Sequence, residues 1–156
     1  MADSEPGFLI AREEMHKSLA EGGAPIGACL VAKDGTILGR GHNQKVQKNS
    51  PCLHAEVSAF EDANHVDTTA YIGGTLYTTL SCCDICAGCA IFFKLGRVVI
   101  GESKTYRGGN DYMASKGIEV VELDDPECIN TLQTYIKEHP EVWYEGIGVK
   151  KGEKGI

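Results

Sequence analysis

Four cysteines lie within eight residues of the sequence, at Cys82, Cys83, Cys86 and Cys89. Cys83 and Cys86 form a Cys-x-x-Cys pair at the predicted start of a helix, where free N–H groups and the helix dipole favour anionic thiolates. A zinc site needs at least a third ligand, and the candidate is His54, which lies 29 residues before Cys83. The fold must therefore bring two distant segments of the chain together at this point.

Glu56 follows His54 in a His-x-Glu motif. One histidine and two cysteines leave the fourth tetrahedral position open for water, as in catalytic zinc sites. At ~100° per residue, Glu56 is offset from His54 by roughly 200° around the helix, so it need not bind the same metal. Zinc lowers the pKa of bound water from about 15.7 to about 7, and a nearby carboxylate can take up and return a proton. The motif predicts a hydrolytic zinc enzyme with Glu56 as its proton shuttle.

The surplus of cysteines leaves a second interpretation open. Cys82 or Cys89 could act as a fourth ligand and close the site into a structural, non-catalytic zinc module. Free cysteine more often behaves as a small buried hydrophobic residue, so both are predicted as non-ligands. Cys29, in an apolar strand, and Cys128, on an apolar helix face, are predicted in the core. Thiolate and imidazole ligands favour zinc without excluding iron.

Hydrophobic periodicity divides the chain into alternating helices and strands. Strands are predicted at 25–32, 36–43, 75–80, 97–102 and 118–123, and helices at 8–21, 53–63, from the cysteine cluster to near Gly96, at 112–116 and at 126–139. In the first helix, one apolar face contains Phe8, Ala11, Met15 and Leu19, and residues 44–52 are predicted to form a polar loop. The Lys-Asp-Gly segment at 33–35 predicts a hairpin turn, and Asp125 before Pro126 predicts a helix start. The order predicts an α/β fold, a three-layer α/β/α sandwich around a central mixed five-stranded sheet with helices on both faces. We expect residues 1–156 to form one domain.

The formal net charge of −7 limits the choice of partners. A protein that binds nucleic acid normally carries a basic face, whereas here the Lys and Arg residues are scattered, so we expect a small-molecule partner. No apolar run approaches the ~20 residues that span a bilayer, and the first residues lack a signal-peptide pattern. We therefore expect a cytoplasmic protein, with the nucleus as an alternative location, no membrane partner and reduced cysteines.

The two motifs resemble the signature of zinc-dependent nucleobase deaminases, His-x-Glu followed by Pro-Cys-x-x-Cys. In particular, the chain resembles the fungal-type cytosine deaminases in the segments GGAPIGACLV, DGTILGRGHN, LHAEVSAFE, TLYTTLSCCDICAG, RVVIGE, GIEVVELDD and VWYEGIG. The resemblance implies the cytidine deaminase-like fold, one Zn²⁺ per chain, a homodimer, a free nucleobase as substrate and a role in pyrimidine salvage.

The resemblance also implies roles for individual residues. The zinc ligands would be His54, Cys83 and Cys86, with Glu56 as the catalytic residue. Substrate contacts would come from the Asn43 side chain, the Ser81 backbone carbonyl facing the departing amino group, and the apolar walls Tyr106, Trp143 and Ile147. Asn43 ends a predicted strand, so a turn-forming role competes with substrate binding, and the two aromatic residues could equally be surface-covering side chains.

The sequence departs from the family pattern at two positions. Cys82 stands where the family has a proline, and Gly146 stands where fungal cytosine deaminases have a carboxylate that binds the substrate amino group. The predicted reaction is hydrolysis of cytosine to uracil and ammonia by zinc-bound hydroxide, with Glu56 moving the protons. The alternative is the same chemistry on a 5-substituted cytosine, another amino-pyrimidine, a triazine or a purine base.

Overall fold

The computed structural model describes residues 5–64 and 67–150, and within them the chain forms five strands and seven α-helices. The strands are β1 Gly27–Val31, β2 Ile37–His42, β3 Thr75–Leu80, β4 Arg97–Glu102 and β5 Glu119–Glu122. The helices are α1 Pro6–Ala20, α2 Lys45–Lys48, α3 Ala55–Asp62, α4 Asp84–Phe92, α5 Asn110–Ser115, α6 Pro126–Glu138 and α7 Pro140–Gly146. No helix in these two ranges has the length and apolar character needed to cross a membrane.

The strands pair into one mixed sheet in the order β2-β1-β3-β4-β5. β1 is antiparallel to both β2 and β3, whereas β4 is parallel to both β3 and β5. The predicted hairpin joins β1 to β2, and Gly35 adopts a φ of +92° in the turn, a conformation that costs glycine little. The predicted five-stranded mixed sheet is confirmed. The prediction of a single domain over 1–156 extends to residues 1–4, 65–66 and 151–156, which lie outside the described residues, and it stays a prediction.

Helices cover both faces of the sheet because the central strands are apolar on both sides. On one face, Phe8 and Met15 of α1 and Cys128 of α6 pack with Tyr77 and Val99. The opposite face of β3 and β4 packs against α3 and α4 in the main hydrophobic core, which includes Ala59, Ala87, Leu76, Val98 and Ile100. Alternate residues along β3 and β4 therefore belong to different layers. The α3 and α4 side is the one that carries the two sequence motifs.

Three local predictions differ from the structure. Leu19 was expected on the buried face of α1 but is 39% exposed, and Ser18 occupies that face instead. The Ser18 hydroxyl is satisfied there by hydrogen bonding to the backbone oxygens of Ala24 and Asn43, at 2.6 and 2.8 Å. The predicted loop at 44–52 contains α2, and α7 follows α6 after a break at His139. Helices of four to seven residues make two turns at most, so they show little periodicity.

Candidate active site

The His-x-Glu and Cys-x-x-Cys motifs meet at the N-termini of α3 and α4. His54 is the N-cap of α3 and Cys83 is the N-cap of α4, and neither side chain caps its own helix. Both side chains point into the same space. His54 Nδ1 lies 3.2 Å from Cys83 Sγ and 3.7 Å from Cys86 Sγ, and the two sulfur atoms are 3.6 Å apart.

The 3.6 and 3.7 Å distances match a tetrahedral zinc site, and the 3.2 Å distance is slightly shorter. Zn–S bonds of about 2.3 Å and Zn–N bonds of about 2.0 Å in tetrahedral geometry place ligand atoms about 3.5–3.8 Å apart. Within residues 5–64 and 67–150, His54, Cys83 and Cys86 are the group whose ligand atoms all lie within 4.8 Å of one another. Three ligands leave one tetrahedral position for water or substrate, which is the arrangement of a catalytic site.

Of the three side chains, Cys83 is the one whose thiolate is favoured before a metal binds. The pKa of Cys83 is lowered to about 4 because its sulfur is hydrogen-bonded to Cys86 and lies beside His54. The same hydrogen bond raises the pKa of Cys86. The neighbouring Cys83 thiolate raises the pKa of His54. Binding of a divalent cation would displace the protons that these groups still hold.

Glu56 lies beside the three ligands. The residue is 4% exposed, and its Oε2 is 3.3 Å from Cys86 Sγ. Its Oε1 accepts a hydrogen bond from Thr78 Oγ1 at 3.1 Å. Burial raises the pKa of this carboxyl group. Thr78 was missed by sequence reasoning because nothing in the pattern of β3 separates it from the other threonines of the strand.

A cavity of about 300 Å³ opens next to these residues. It is lined by His54, Glu56 and Cys83, and also by all of the substrate-contact residues predicted from the resemblance, Asn43, Ser81, Tyr106, Trp143 and Ile147. The structure thus brings together residues that lie more than a hundred positions apart in the sequence, such as Asn43 and Ile147. Lys45 and Gly146 also line the cavity, and Lys45 had no functional role in the sequence prediction because its short helix was not foreseen.

Asn43 has a turn-forming role and also lines the cavity. Its Oδ1 accepts a hydrogen bond from the Lys45 N–H at 3.1 Å, which stabilises the turn into α2. Its backbone oxygen accepts from Gln47 Nε2 at 3.0 Å, and its N–H donates to Ile26 O at 2.9 Å. Because Oδ1 is used in the turn, Nδ2 is the side-chain atom available to donate to a ligand in the cavity.

Both aromatic residues are cavity walls rather than surface cover. Trp143 is 8% exposed and belongs to the main hydrophobic core, and the half-buried Tyr106 packs against that core. Trp143 and Ile147 come from α7 and its C-cap, whereas Tyr106 comes from the loop after β4. The walls therefore depend on the packing of α7 and its C-cap against the main hydrophobic core.

The other cysteines lie outside the three-residue group. Cys82 is fully buried next to Cys83, and Cys29 and Cys128 are buried as predicted. Cys89 is half-buried and Cys52 is exposed. Cys89 is less buried than predicted because it lies on a side of α4 that faces partly outward. Neither Cys82 nor Cys89 joins the ligand group found among the described residues.

Comparison with known proteins identifies the family. The family model described as the cytidine and deoxycytidylate deaminase zinc-binding region matches residues 1–102. The chain belongs to this family. It is 42% identical over 146 residues to a cytosine deaminase of Candida albicans, covering 94% of this chain and 97% of that protein. It is also 32% identical over 138 residues to a tRNA-specific adenosine deaminase of Streptococcus pyogenes, covering 82% of this chain and 86% of that protein.

The fold of this deaminase also occurs among solved structures. A guanine deaminase from Nitrosomonas europaea superposes with a TM-score of 0.68 at 20% identity, covering 84% of both chains. The family membership and the three-ligand site together establish a zinc-dependent hydrolytic deaminase. The structural zinc module, the non-catalytic interpretation of the cysteine cluster, is therefore set aside.

Proposed function

We propose that this deaminase hydrolyses a free nucleobase, with cytosine converted to uracil and ammonia as the leading reaction. The observation that carries the proposal is the cavity of about 300 Å³ in which two of the three zinc ligands, His54 and Cys83, meet a buried carboxylate and apolar walls. A cavity of this volume accepts a planar heterocycle. The 42% sequence identity with the Candida albicans cytosine deaminase, over most of both chains, supports cytosine as the substrate.

The residues of the site divide the chemistry among them. Zinc, when held by His54, Cys83 and Cys86, supplies the Lewis acidity that makes water nucleophilic near neutral pH. Glu56 Oε2, on the side of the carboxylate away from Thr78, accepts a proton from the attacking water. Glu56 then returns that proton to the ring nitrogen of the base, so that the carbon under attack becomes tetrahedral. Transfer of the remaining proton of the added hydroxyl group to the amino group, again through Glu56, lets the C–N bond break, so that ammonia leaves and a carbonyl forms.

The remaining cavity residues orient the base and exclude water. Asn43 Nδ2 donates to an acceptor on the ring, and the Ser81 carbonyl accepts from the departing amino group. Tyr106, Trp143 and Ile147 enclose the base between apolar surfaces. A water-poor site strengthens each of these polar contacts because the local dielectric constant is low.

An ammonia-release assay on the zinc-loaded protein tests this function. The panel contains cytosine, 5-methylcytosine, other amino-pyrimidines, amino-triazines, adenine and guanine, and the Glu56→Ala variant serves as the blank. We expect cytosine to give the highest kcat/KM. Release of ammonia from none of these compounds by the wild-type protein would contradict the proposal.

Gly146 favours a second candidate, the same chemistry on a different amino-heterocycle. A Cβ at Gly146 would lie 3.2 Å from Lys45 Nζ, so the cavity wall has an ammonium group and no carboxylate at this position. The nearby Glu145 carboxylate holds Lys45 Nζ at 2.6 Å, but its side chain is 76% exposed. A substrate that needs no acceptor there would be favoured over cytosine. A higher kcat/KM for any other member of the panel would select this candidate.

Free bases are proposed in preference to nucleic acids. One of the relatives is a tRNA-specific adenosine deaminase, but the net charge of −7 disfavours binding to a phosphate backbone. A single-stranded oligonucleotide titrated at low salt, where such binding is strongest, should show no saturable association. We also propose that the protein is cytoplasmic and takes part in pyrimidine salvage.

Asn43→Asp is a matched test of the base contact. The carboxylate keeps an oxygen for the Lys45 N–H but removes the Nδ2 donor, so the turn survives and the hydrogen bond to the substrate is lost. We expect kcat/KM to fall about 10- to 100-fold, the effect of leaving one substrate acceptor unpaired in a buried site. Steady-state kinetics with a thermal melt measure both effects. An unchanged kcat/KM would remove Asn43 from the substrate site.

We propose that the protein is a homodimer that pairs through the outer side of α4. Ile85 and Phe92 are seven residues apart on this helix, so they share a face, and they are 48% and 77% exposed. Gly88 lies between them with open space around it, so another helix could approach closely. An exposed apolar stripe of this kind is typical of an association surface.

Phe92→Asp should convert the dimer into a monomer. The substitution places a charge on the most exposed residue of the apolar stripe, where pairing would have to desolvate it. Sedimentation velocity measures the change in mass. Tyr112→Asp, at a position on α5 that is 53% exposed, is the matched control and should stay dimeric. A wild-type protein that sediments as a monomer at all concentrations would contradict the proposal.

A further inference from the structure

The segment Ser103–Gly109, here called the β4–α5 loop, lies against the backbone that leads into the zinc ligands. The Gly108 N–H donates to Ser81 Oγ at 2.9 Å, and the Gly109 N–H donates to the Cys82 carbonyl at 2.8 Å. A Cβ on Gly108 would lie 2.1 Å from the Cys82 carbonyl oxygen. The close approach therefore requires glycine. Tyr106, the cavity wall, lies only two residues before this point of attachment.

The other half of the loop is held by Glu102, the last residue of β4. This side chain is fully buried, and its Oε2 accepts hydrogen bonds from the Lys104 and Thr105 N–H groups at 2.7 and 2.8 Å. Tyr106 is thus held between two attachments, Glu102 before it and Ser81 after it. The position of its ring in the cavity depends on both.

Asn110 completes the second attachment. It is 2% exposed, and its Oδ1 accepts the hydrogen bond of the Ser81 hydroxyl at 2.6 Å. Its Nδ2 donates to Ser103 Oγ at 2.9 Å and to Glu122 Oε1 at 3.0 Å. A carboxamide can accept on one side and donate on the other, and both functions are used. Because the Ser81 proton points to Asn110, a lone pair of Ser81 Oγ is directed to the Gly108 N–H.

We propose that Asn110 is a positioning residue for deamination, which acts through the Ser81 hydroxyl to hold Tyr106 and the Ser81 carbonyl in their places at the base. The Ser81 side chain binds the loop, and Ser81 and Tyr106 both line the cavity, so one hydrogen-bond network positions two of the residues that surround the substrate. Asn110 itself does not line the cavity. This inference rests on the proposed function.

Asn110→Asp tests the hydrogen-bond network of Asn110, because the Asp side chain has nearly the same size and shape as the Asn side chain. The substitution keeps an acceptor for Ser81 but replaces the Nδ2 donor with an oxygen that faces the Glu122 carboxylate. We expect KM for the preferred base to rise at least about tenfold while zinc content stays at one per chain. Adding Glu122→Gln supplies an amide donor and should restore KM to within about threefold. Asn130→Asp makes the same chemical change at an exposed position of α6 and should leave KM unchanged.

A second readout does not depend on turnover. Trp143 is the single tryptophan, and it lines the cavity together with Tyr106. Loosening the loop should shift its emission to longer wavelength and increase acrylamide quenching in Asn110→Asp, with reversal in the Glu122→Gln double variant. If the wild-type protein deaminates none of the bases, the proposed function fails, while these fluorescence measurements still decide whether Asn110 orders the cavity wall.

If Asn110→Asp does not fold, Ser81→Ala provides a second test of the same hydrogen-bond network. This variant removes the hydroxyl group and leaves the backbone carbonyl, so it should raise KM and Trp143 quenching in the same way. Where both variants fold, their effects should not add, since they break one network. Values of KM and quenching within twofold of wild type in a folded, zinc-loaded variant would overturn the proposal, as would fully additive effects.

Discussion

Glu56→Ala should lose at least about 10³-fold in kcat while retaining its zinc. Proton transfer by a positioned carboxylate typically increases the rate of a reaction about 10²–10⁴-fold. In the proposed mechanism, Glu56 transfers protons at two stages. The carboxylate is buried, held by Thr78, and separate from the three ligand atoms. Its removal therefore leaves the metal site intact. Ammonia release measures turnover, and elemental analysis measures zinc.

Two controls make the result specific to proton transfer. Glu56→Gln keeps the volume and the acceptor for Thr78 but cannot carry the proton, so it should be as inactive as the alanine variant. Glu61→Ala removes an exposed carboxylate from the same helix, α3, and should retain full activity. Near-normal turnover in Glu56→Gln with zinc bound would exclude the carboxylate as the shuttle.

Cys86→Ala should abolish zinc binding and activity together, and it should lower the thermal stability. His54 and Cys83 are the N-caps of different helices, so a metal bound by all three residues cross-links α3 to α4. A ligand present at a thousand times its Kd stabilises the folded state by about 4.1 kcal/mol. We expect the melting temperature of the variant to match that of the chelator-treated wild-type protein.

Cys89→Ser is the matched control for this loss. Cys89 lies on the same helix, three residues after Cys86, but outside the ligand group found in the described part of the chain. The variant should keep one zinc per chain and full activity. Zinc loss in Cys89→Ser would instead indicate a fourth protein ligand and a closed site.

The strands next to the site were predictable to the residue. β3 and β4 match their predicted ranges, 75–80 and 97–102, because β3 is rich in β-branched and aromatic residues, β4 has an apolar centre, and glycine precedes each strand. Asp125 was also predicted correctly as the residue that starts α6, and its side chain accepts a hydrogen bond from the Cys128 N–H at 2.9 Å. In each case the signal is local, since it depends on residue types only a few positions apart.

Other parts of the site had no local signal. Ser18, rather than Leu19, is buried on the inner face of α1. The Ser18 hydroxyl is hydrogen-bonded to the backbone oxygens of Ala24 and Asn43, which come close to it only in the folded protein. The short helices α2 and α7 carry Lys45 and Trp143 to the cavity, although their own sequences are too short to show a clear period. Their positions are set by packing against the main core.

The sequence by itself determined the zinc-dependent deaminase chemistry, because the zinc ligands and the proposed proton shuttle are side-chain types that lie within two short motifs. His54, Glu56, Cys83 and Cys86 could be assigned from two motifs and the helix starts on which they lie. Only the tertiary structure decided how the cavity is shaped and held. Thr78 behind Glu56, Lys45 beside Gly146 and Asn110 behind Ser81 are contacts between residues 22 to 101 positions apart. Such contacts exist only after the sheet and its helices have packed.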